Sequence, residues 1–299
     1  MRSMGSSASS TLTTEGSIGA RHDESPLVRR ATPGPTLYFN ATFPAESNPR
    51  AVVGLIHGFA DYGARYAHVA RAWAQRGLAT IAVDLRGHGR AEGPRGSCLR
   101  FGEYHDDVSE LKELVRERAG QLPAFLFGHS FGGLVAACEV LESPARWKGL
   151  VLTAPNFRVA LKVPPLKLLA GHLASRLVPW FGLPAGLSGS DLTHDSAIAR
   201  AYDKDPLVFK NVRSRWFTEM RIAQTRATAN AASLKVPLYI AMGTEDRVAD
   251  FATAKAFYDA AGSTDKTWDP REGLYHEVLN EPEWPQTAQR IADWMLARL

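Results

Sequence analysis

Phe125-Leu126-Phe127-Gly128-His129-Ser130-Phe131-Gly132-Gly133 joins an apolar strand, a Gly-x-Ser-x-Gly turn and the start of a helix without a break. A serine on so tight a strand-to-helix turn must take strained backbone angles. Glycines at 128 and 132 permit them by removing side chains that would clash. The hydroxyl then projects from the sheet, and the helix behind it offers its first N–H groups to developing negative charge. Ser130 is the first candidate nucleophile. The same pentapeptide also occurs in plain strand-turn-helix connections, so its flanks must decide.

Outward from this turn, strand and helix patterns alternate from about residue 36, which predicts a mostly parallel central sheet flanked by helices, an α/β fold. Leu37 to Phe43 reads as an early antiparallel strand. The runs Ala51–Ile56, Ala79–Asp84, Ala124–Phe127, Leu150–Thr153 and Pro237–Met242 are continuously apolar, as strands covered on both faces require. Tyr66–Arg76, Gly102–Ala119, Phe251–Ala261 and Trp284–Leu299 carry helical spacing.

Residues 156–232 break this rhythm. They hold no buried-strand pattern but do hold a Pro- and Gly-punctuated apolar stretch, with Leu161, Val163, Leu166, Leu169, Leu177, Val178 and Trp180. A helical cap inserted into a core of residues 31–155 and 233–299 is expected, over the sheet edge where α/β folds place their sites. Some of these side chains should line a substrate pocket and others should face the medium, as a patch able to touch lipid aggregates. Residues 1–30, rich in Ser, Thr and Gly, read as a disordered or appended tail with neither an apolar signal core nor a cleavage site.

The chain has 299 residues, 45% of them hydrophobic and 22% charged, enough for one large domain with an insertion. A net charge of +4, spread along the sequence, argues against a nucleic-acid partner. No run reaches the roughly 20 apolar residues of a membrane span, so a soluble protein is expected, cytoplasmic by default. Cys98 and Cys138 fit no metal spacing, and neither a disulfide nor a metal is expected.

A nucleophilic serine needs a base, and the base an orienting acid. Asp246 directly follows a strand and so projects from the same edge as Ser130. His276 follows a last short strand near Lys266-Thr267-Trp268. Glu245 and Asp250 compete for the acid's place, with Asp246 preferred by its position. The order Ser130, Asp246, His276 resembles that of the α/β-hydrolases. Two backbone N–H groups should form the oxyanion hole, those of Phe131 after the nucleophile and Phe59 in the loop after the strand ending at Ile56. His57 is read as bracing that loop.

The segments His57-Gly58-Phe59-Ala60-Asp61-Tyr62-Gly63-Ala64-Arg65-Tyr66, Asp84-Leu85-Arg86-Gly87-His88-Gly89, Gly128 to Gly133, Gly243-Thr244-Glu245-Asp246-Arg247 and Gly273-Leu274-Tyr275-His276-Glu277 resemble, in order, the monoacylglycerol lipase and lysophospholipase-like branch of the α/β-hydrolases. That resemblance covers nearly everything after residue 36. It implies a serine esterase with no cofactor, a helical lid and a small-molecule or lipid acyl ester as substrate. It also places Asp61 and Arg65 near the substrate's polar head, a role open beside that of a structural ion pair. Phe59 stands where a small or slim residue is usual, and the cap matches only at Asp205-Pro206-Leu207-Val208. Rival readings keep the scaffold and change the reaction, to amide, lactone, thioester or carbon-carbon bond hydrolysis or acyl transfer to an alcohol, or abandon catalysis for ligand sensing.

Overall fold

The computed structural model describes residues 20–27, 34–45, 47–160 and 165–299. Five strands form the buried centre of the sheet: β3 (Ala51–Ile56), β4 (Leu78–Asp84), β5 (Ala124–His129), β6 (Gly149–Thr153) and β9 (Leu238–Gly243). Every residue in them is buried, because helices cover both faces. This is why their sequences run apolar without alternation. β1 (Ala20–Leu27) and β2 (Leu37–Pro44) extend one edge antiparallel, and β10 (Lys266–Arg271) closes the other. The order is β1-β2-β4-β3-β5-β6-β9-β10, with every pair from β4 to β10 parallel.

On one face α2 (Gly102–Ala119), α3 (Phe131–Glu142) and α8 (Phe251–Ala260) bury Val108, Leu111, Leu134, Val135 and Phe257 against the sheet. On the other, α1 (Ala67–Ala74) and α9 (Trp284–Leu296) bury Val69, Trp73, Ile291 and Met295. Between β6 and β9 the chain forms α4 (Pro165–Leu177), α5 (Gly189–Leu192), α6 (Ser196–Lys204) and α7 (Ser214–Ala229).

Two expectations need correction. Ala20–Leu27, placed in a tail, is strand β1, paired with β2 from Ala20 opposite Pro44 to Leu27 opposite Leu37. Its sequence, Ala-Arg-His-Asp-Glu-Ser-Pro-Leu, has no apolar alternation to announce a strand; the backbone groups of β2's open edge supply the pairing. Residues 1–19 and 28–30 of that tail lie outside the described residues. The insertion is also not purely helical. β7 (Gly182–Pro184) and β8 (Asn211–Arg213) form a short antiparallel ribbon, too brief to leave a pattern in the sequence. Among the described residues no helix is long and apolar enough to cross a membrane.

Candidate active site

Ser130 sits between β5 and α3 with φ 52° and ψ −117°, a left-handed conformation costly for any side-chain-bearing residue. The neighbouring glycines are obligatory. A Cβ on Gly128 would lie 2.4 Å from the Gly132 carbonyl oxygen, and one on Gly132 would lie 2.2 Å from that of His57. Hydrogen bonds lock the turn: Ser130 N–H donates to Thr153 O at 2.9 Å, and Ser130 O accepts from Leu134 and Asn156 N–H.

Two loops from the same sheet edge bring the partners. His276, beyond β10, places Nε2 2.8 Å from Ser130 Oγ and Nδ1 2.8 Å from Asp246 Oδ2. Asp246, just after β9, turns Oδ1 to the N–H groups of Val248 and Ala249 at 2.8 and 2.9 Å, so both its oxygens are engaged. Burial alone would lower the His276 pKa; the adjacent Asp246 carboxylate outweighs it and raises the value above the ordinary 6.5. Of the two competing acids, Glu245 is exposed and Asp250 caps α8 through Thr253 N–H at 2.8 Å. Such an array can take the serine proton as its oxygen attacks a carbonyl carbon and return it to a leaving group.

The loop after β3 stands beside the nucleophile: a Cβ on Gly58 would be 3.5 Å from Ser130 Cβ. The N–H groups of Phe59 and Phe131 have no partner among the described residues, which leaves both free to donate. His57 is fully buried, with Nδ1 2.7 Å from Gly58 O and Nε2 2.9 Å from Leu85 N, so it does brace this loop.

Asp61 and Arg65 form the ion pair that was one of the two roles left open for them. Asp61 Oδ2 accepts from Gly58 N–H and Tyr66 OH, and Oδ1 from Tyr62 N–H and Arg65 Nη1. Arg65 grips Glu277 with two bonds of 2.7 Å. Burial would raise the Asp61 carboxyl, but Arg65 holds it well below the usual carboxylate range, and the same opposition lowers Glu277. These groups are spent on one another, tying the Gly58 loop to the His276 loop. Glu277 and the fully buried Glu281 are participants that sequence reasoning missed. Glu281 accepts from Tyr275 N–H at 2.7 Å and His194 N–H at 2.8 Å, joining the His276 loop to the insertion. Their only signal was adjacency to His276.

Of the apolar insertion residues proposed as substrate contacts, Leu161 and Val163 lie outside the described residues, as do the side chains of Leu166 and Leu169 within α4. Leu177 and Trp180 are 68% and 67% exposed, and Val178 is exposed too, so all three face outward. The cause is the face by which α4 packs. Ser175 is buried and bonded to Thr218 of α7 at 2.6 Å, which turns Leu173 and Leu177 outward. The insertion reaches the oxyanion loop instead through Trp216 and Phe209, whose rings stand 4.0 and 5.0 Å from that of Phe59. Neither was singled out in the sequence, because both lie outside the conspicuous apolar stretch.

Ser130 is 5% and His276 3% exposed. A cavity of about 660 Å³ opens elsewhere, between α2, α3 and α7, lined by Phe101, His105, Cys138 and Arg226 among others. Cys98 and Cys138 are both buried and free, and burial pushes each thiol up to about 12.

Residues 47–283 match the family described as Serine aminopeptidase, S33 (Hydrolase_4). A monoacylglycerol lipase of Mycolicibacterium smegmatis is 30% identical, over 85% of this chain and 91% of that protein. Phospholipase YtpA of Bacillus subtilis is 32% identical, over 79% and 91%. The crystal structure of a monoacylglycerol lipase from Paleococcus ferrophilus superposes with a TM-score of 0.79 at 26% identity, over 88% of this chain and 99% of that one. With the family matched over most of its length and the fold shared, the chain belongs to the Hydrolase_4 serine hydrolases, in their monoacylglycerol lipase and lysophospholipase-like branch.

Proposed function

We propose that this serine ester hydrolase cleaves monoacylglycerol-type esters through an acyl-enzyme, with Ser130 as nucleophile, His276 as base and Asp246 as its orienting acid. The observation that carries the reading is the continuous Asp246–His276–Ser130 hydrogen-bond chain, 2.8 Å at each link. His276 Nε2 takes the Ser130 proton while Oγ bonds to the ester carbonyl carbon. Phe59 and Phe131 N–H groups receive the oxyanion. The proton passes to the departing glycerol oxygen as the C–O bond breaks, and water, deprotonated in turn by His276, then releases the fatty acid and restores Ser130. Loss of one oxyanion donor would cost on the order of 3 kcal/mol in the barrier.

The substrate class rests on relatives and on chemistry near the site. The named relatives act on acylglycerols or phospholipids. The rings of Phe59, Phe209 and Trp216 supply apolar surface next to the oxyanion loop. Peptidase action fits less well: Asp61 and Glu277 are neutralised by Arg65, and Asp246 is held by His276, so these acids are not available to a substrate ammonium group. Residues 156–232 would serve as the cap over a core of 31–155 and 233–299. The outward-facing Leu173, Leu177, Val178, Trp180 and Phe181 would touch lipid aggregates transiently.

A fluorophosphonate probe should form one adduct, on Ser130. In a panel of p-nitrophenyl esters of rising acyl length, monoacylglycerols, a lysophospholipid and an aminoacyl p-nitroanilide, the highest kcat/KM should fall on a monoacylglycerol. An unlabelled Ser130 overturns the mechanism, and a preference for the anilide overturns the substrate class.

A further inference from the structure

The peptide unit between Gly58 and Phe59 carries the Phe59 N–H at one end of a conjugated plane and the Gly58 carbonyl at the other. His57 touches that carbonyl, with Nδ1 2.7 Å away, while its Nε2 lies 2.9 Å from the N–H of Leu85. A backbone N–H can only donate. Nε2 must therefore hold the bare lone pair and Nδ1 the proton, so the fold itself selects the tautomer that donates to Gly58 O. The preceding peptide is held as well, through Gly58 N–H to Asp61 Oδ2 at 3.1 Å. The imidazole is fully buried, and the ring of His88 lies 5.3 Å from it.

We infer that His57 is a positioning residue of the oxyanion hole: its Nδ1–H bond to Gly58 O fixes the plane of the Gly58–Phe59 peptide and polarises it, strengthening the Phe59 N–H as a donor. The inference rests on the reading of Ser130 as nucleophile and Phe59 as oxyanion donor. When negative charge arrives at the N–H end, electron density rises on Gly58 O, and the His57 bond tightens with it. The gain is larger in the transition state than in the bound substrate, so it appears in kcat and not in KM.

Two substitutions separate the two ring nitrogens. His57→Asn sets a side-chain amide near the place of Nδ1 and can keep the bond to Gly58 O. His57→Gln reaches the place of Nε2 and can keep only the bond from Leu85. On a soluble p-nitrophenyl ester, His57→Gln should lose about tenfold or more in kcat with KM within about twofold, and His57→Asn should stay within about threefold of the parent. Affinity for a boronic acid that forms a tetrahedral adduct on Ser130 should fall in step with kcat across the series, while affinity for the fatty-acid product should not. Equal losses in the two variants, a loss confined to KM, or unchanged boronate affinity would overturn the inference. Should either variant fail to fold, nitrogen NMR of His57 in the parent enzyme decides. A protonated Nδ1 whose proton moves downfield on boronate binding supports the relay; a protonated Nε2, or an Nδ1 proton that does not move, refutes it. Absence of fluorophosphonate labelling at Ser130 in the parent would instead remove the nucleophile reading and this inference with it.

Discussion

Replacing Arg65 by Met tests whether the ion cluster beside Ser130 holds the loops together or merely accompanies them. Arg65 bonds Glu277 twice at 2.7 Å and Asp61 once at 2.9 Å, and all three side chains are no more than 10% exposed. Without the guanidinium, Asp61 keeps donors from Gly58, Tyr62 and Tyr66, whereas among the described residues Glu277 keeps Asn280 Nδ2 alone, at 2.9 Å. Breaking a buried pair from one side costs about 3–5 kcal/mol, and most of that here should come from Glu277. Two consequences follow, both measurable by urea unfolding. The double variant Arg65→Met/Glu277→Gln should regain a large part of the loss, because its remaining neutral amide is cheaper to bury than a lone carboxylate. The second concerns pH. In the parent, both carboxyl pKa values are lowered, so their contribution is present above the unfolded values and is lost as pH falls through the folded ones. In Arg65→Met burial acts without that opposition and pushes Glu277 upward; the carboxyl takes up a proton as pH falls, and the gap to the parent should narrow between pH 7 and 5. A gap below about 1 kcal/mol at pH 7, one that widens at pH 5, or strictly additive effects in the double variant would refute this account.

Ser130→Ala and His276→Ala should each abolish ester hydrolysis while leaving the fold intact, and the double variant should be no worse than either, as circular dichroism and steady-state rates will show. The acid limb of kcat/KM should have its midpoint above 6.5, since His276 must lose its proton to act as base and Asp246 raises its pKa; Asp246→Asn should move that midpoint downward, leaving burial to dominate. His276's contribution to stability has the opposite sense: a raised folded value stabilises below the unfolded value and is lost as pH rises through the folded one. His129 and His88 are depressed, chiefly by burial, to about 4 and about 3, so the fold should lose stability as pH drops below 6.5, by up to about 1.4 kcal/mol per pH unit for each, in urea titrations at stepped pH. Leu177→Ser and Trp180→Ser should each weaken partitioning onto lipid vesicles by about 1–2 kcal/mol while leaving turnover of a soluble acetate ester unchanged, as co-sedimentation and a p-nitrophenyl assay will test.

The core of the fold was legible because strands covered on both faces can be built from little but apolar residues. Ala51–Ile56 and Gly102–Ala119 have the limits read from sequence, and Leu78–Asp84 and Leu238–Gly243 lie within a residue of them. Ser130 was legible for a sharper reason: its left-handed backbone compels glycine at 128 and 132, and such a demand leaves letters in the sequence. Elements whose stability comes from elsewhere left none. β1 is held by the edge of β2 and carries Arg21, Asp23 and Glu24 within it, and the ribbon of β7 and β8 is three residues on each side. The orientation of α4 was hidden too, because Ser175 marks the face that packs, through its bond to Thr218, while Leu173 and Leu177 point outward.

The same distinction separates the chemistry from its substrate. Each site loop is tied to the insertion by polar contacts: Tyr62 OH donates to Asp205 at 2.6 Å from the oxyanion loop, Ala160 N–H donates to Val248 O beside the acid, and Glu277 N–H donates to Leu192 O beside the base. The residues that make these ties sit at loop ends, where a carboxylate or a backbone group must meet one particular partner. Asp205 opens the one stretch of the insertion that resembles the family, and it is an anchor to the oxyanion loop. Residues that would meet an acyl chain need only be apolar and of suitable size, a demand that Phe209 and Trp216 satisfy and that many other sequences would satisfy equally. Acid, base and nucleophile each need one particular atom in one particular place, while the contacts that set chain length do not, and acyl preference has to be measured where the catalytic residues could be read.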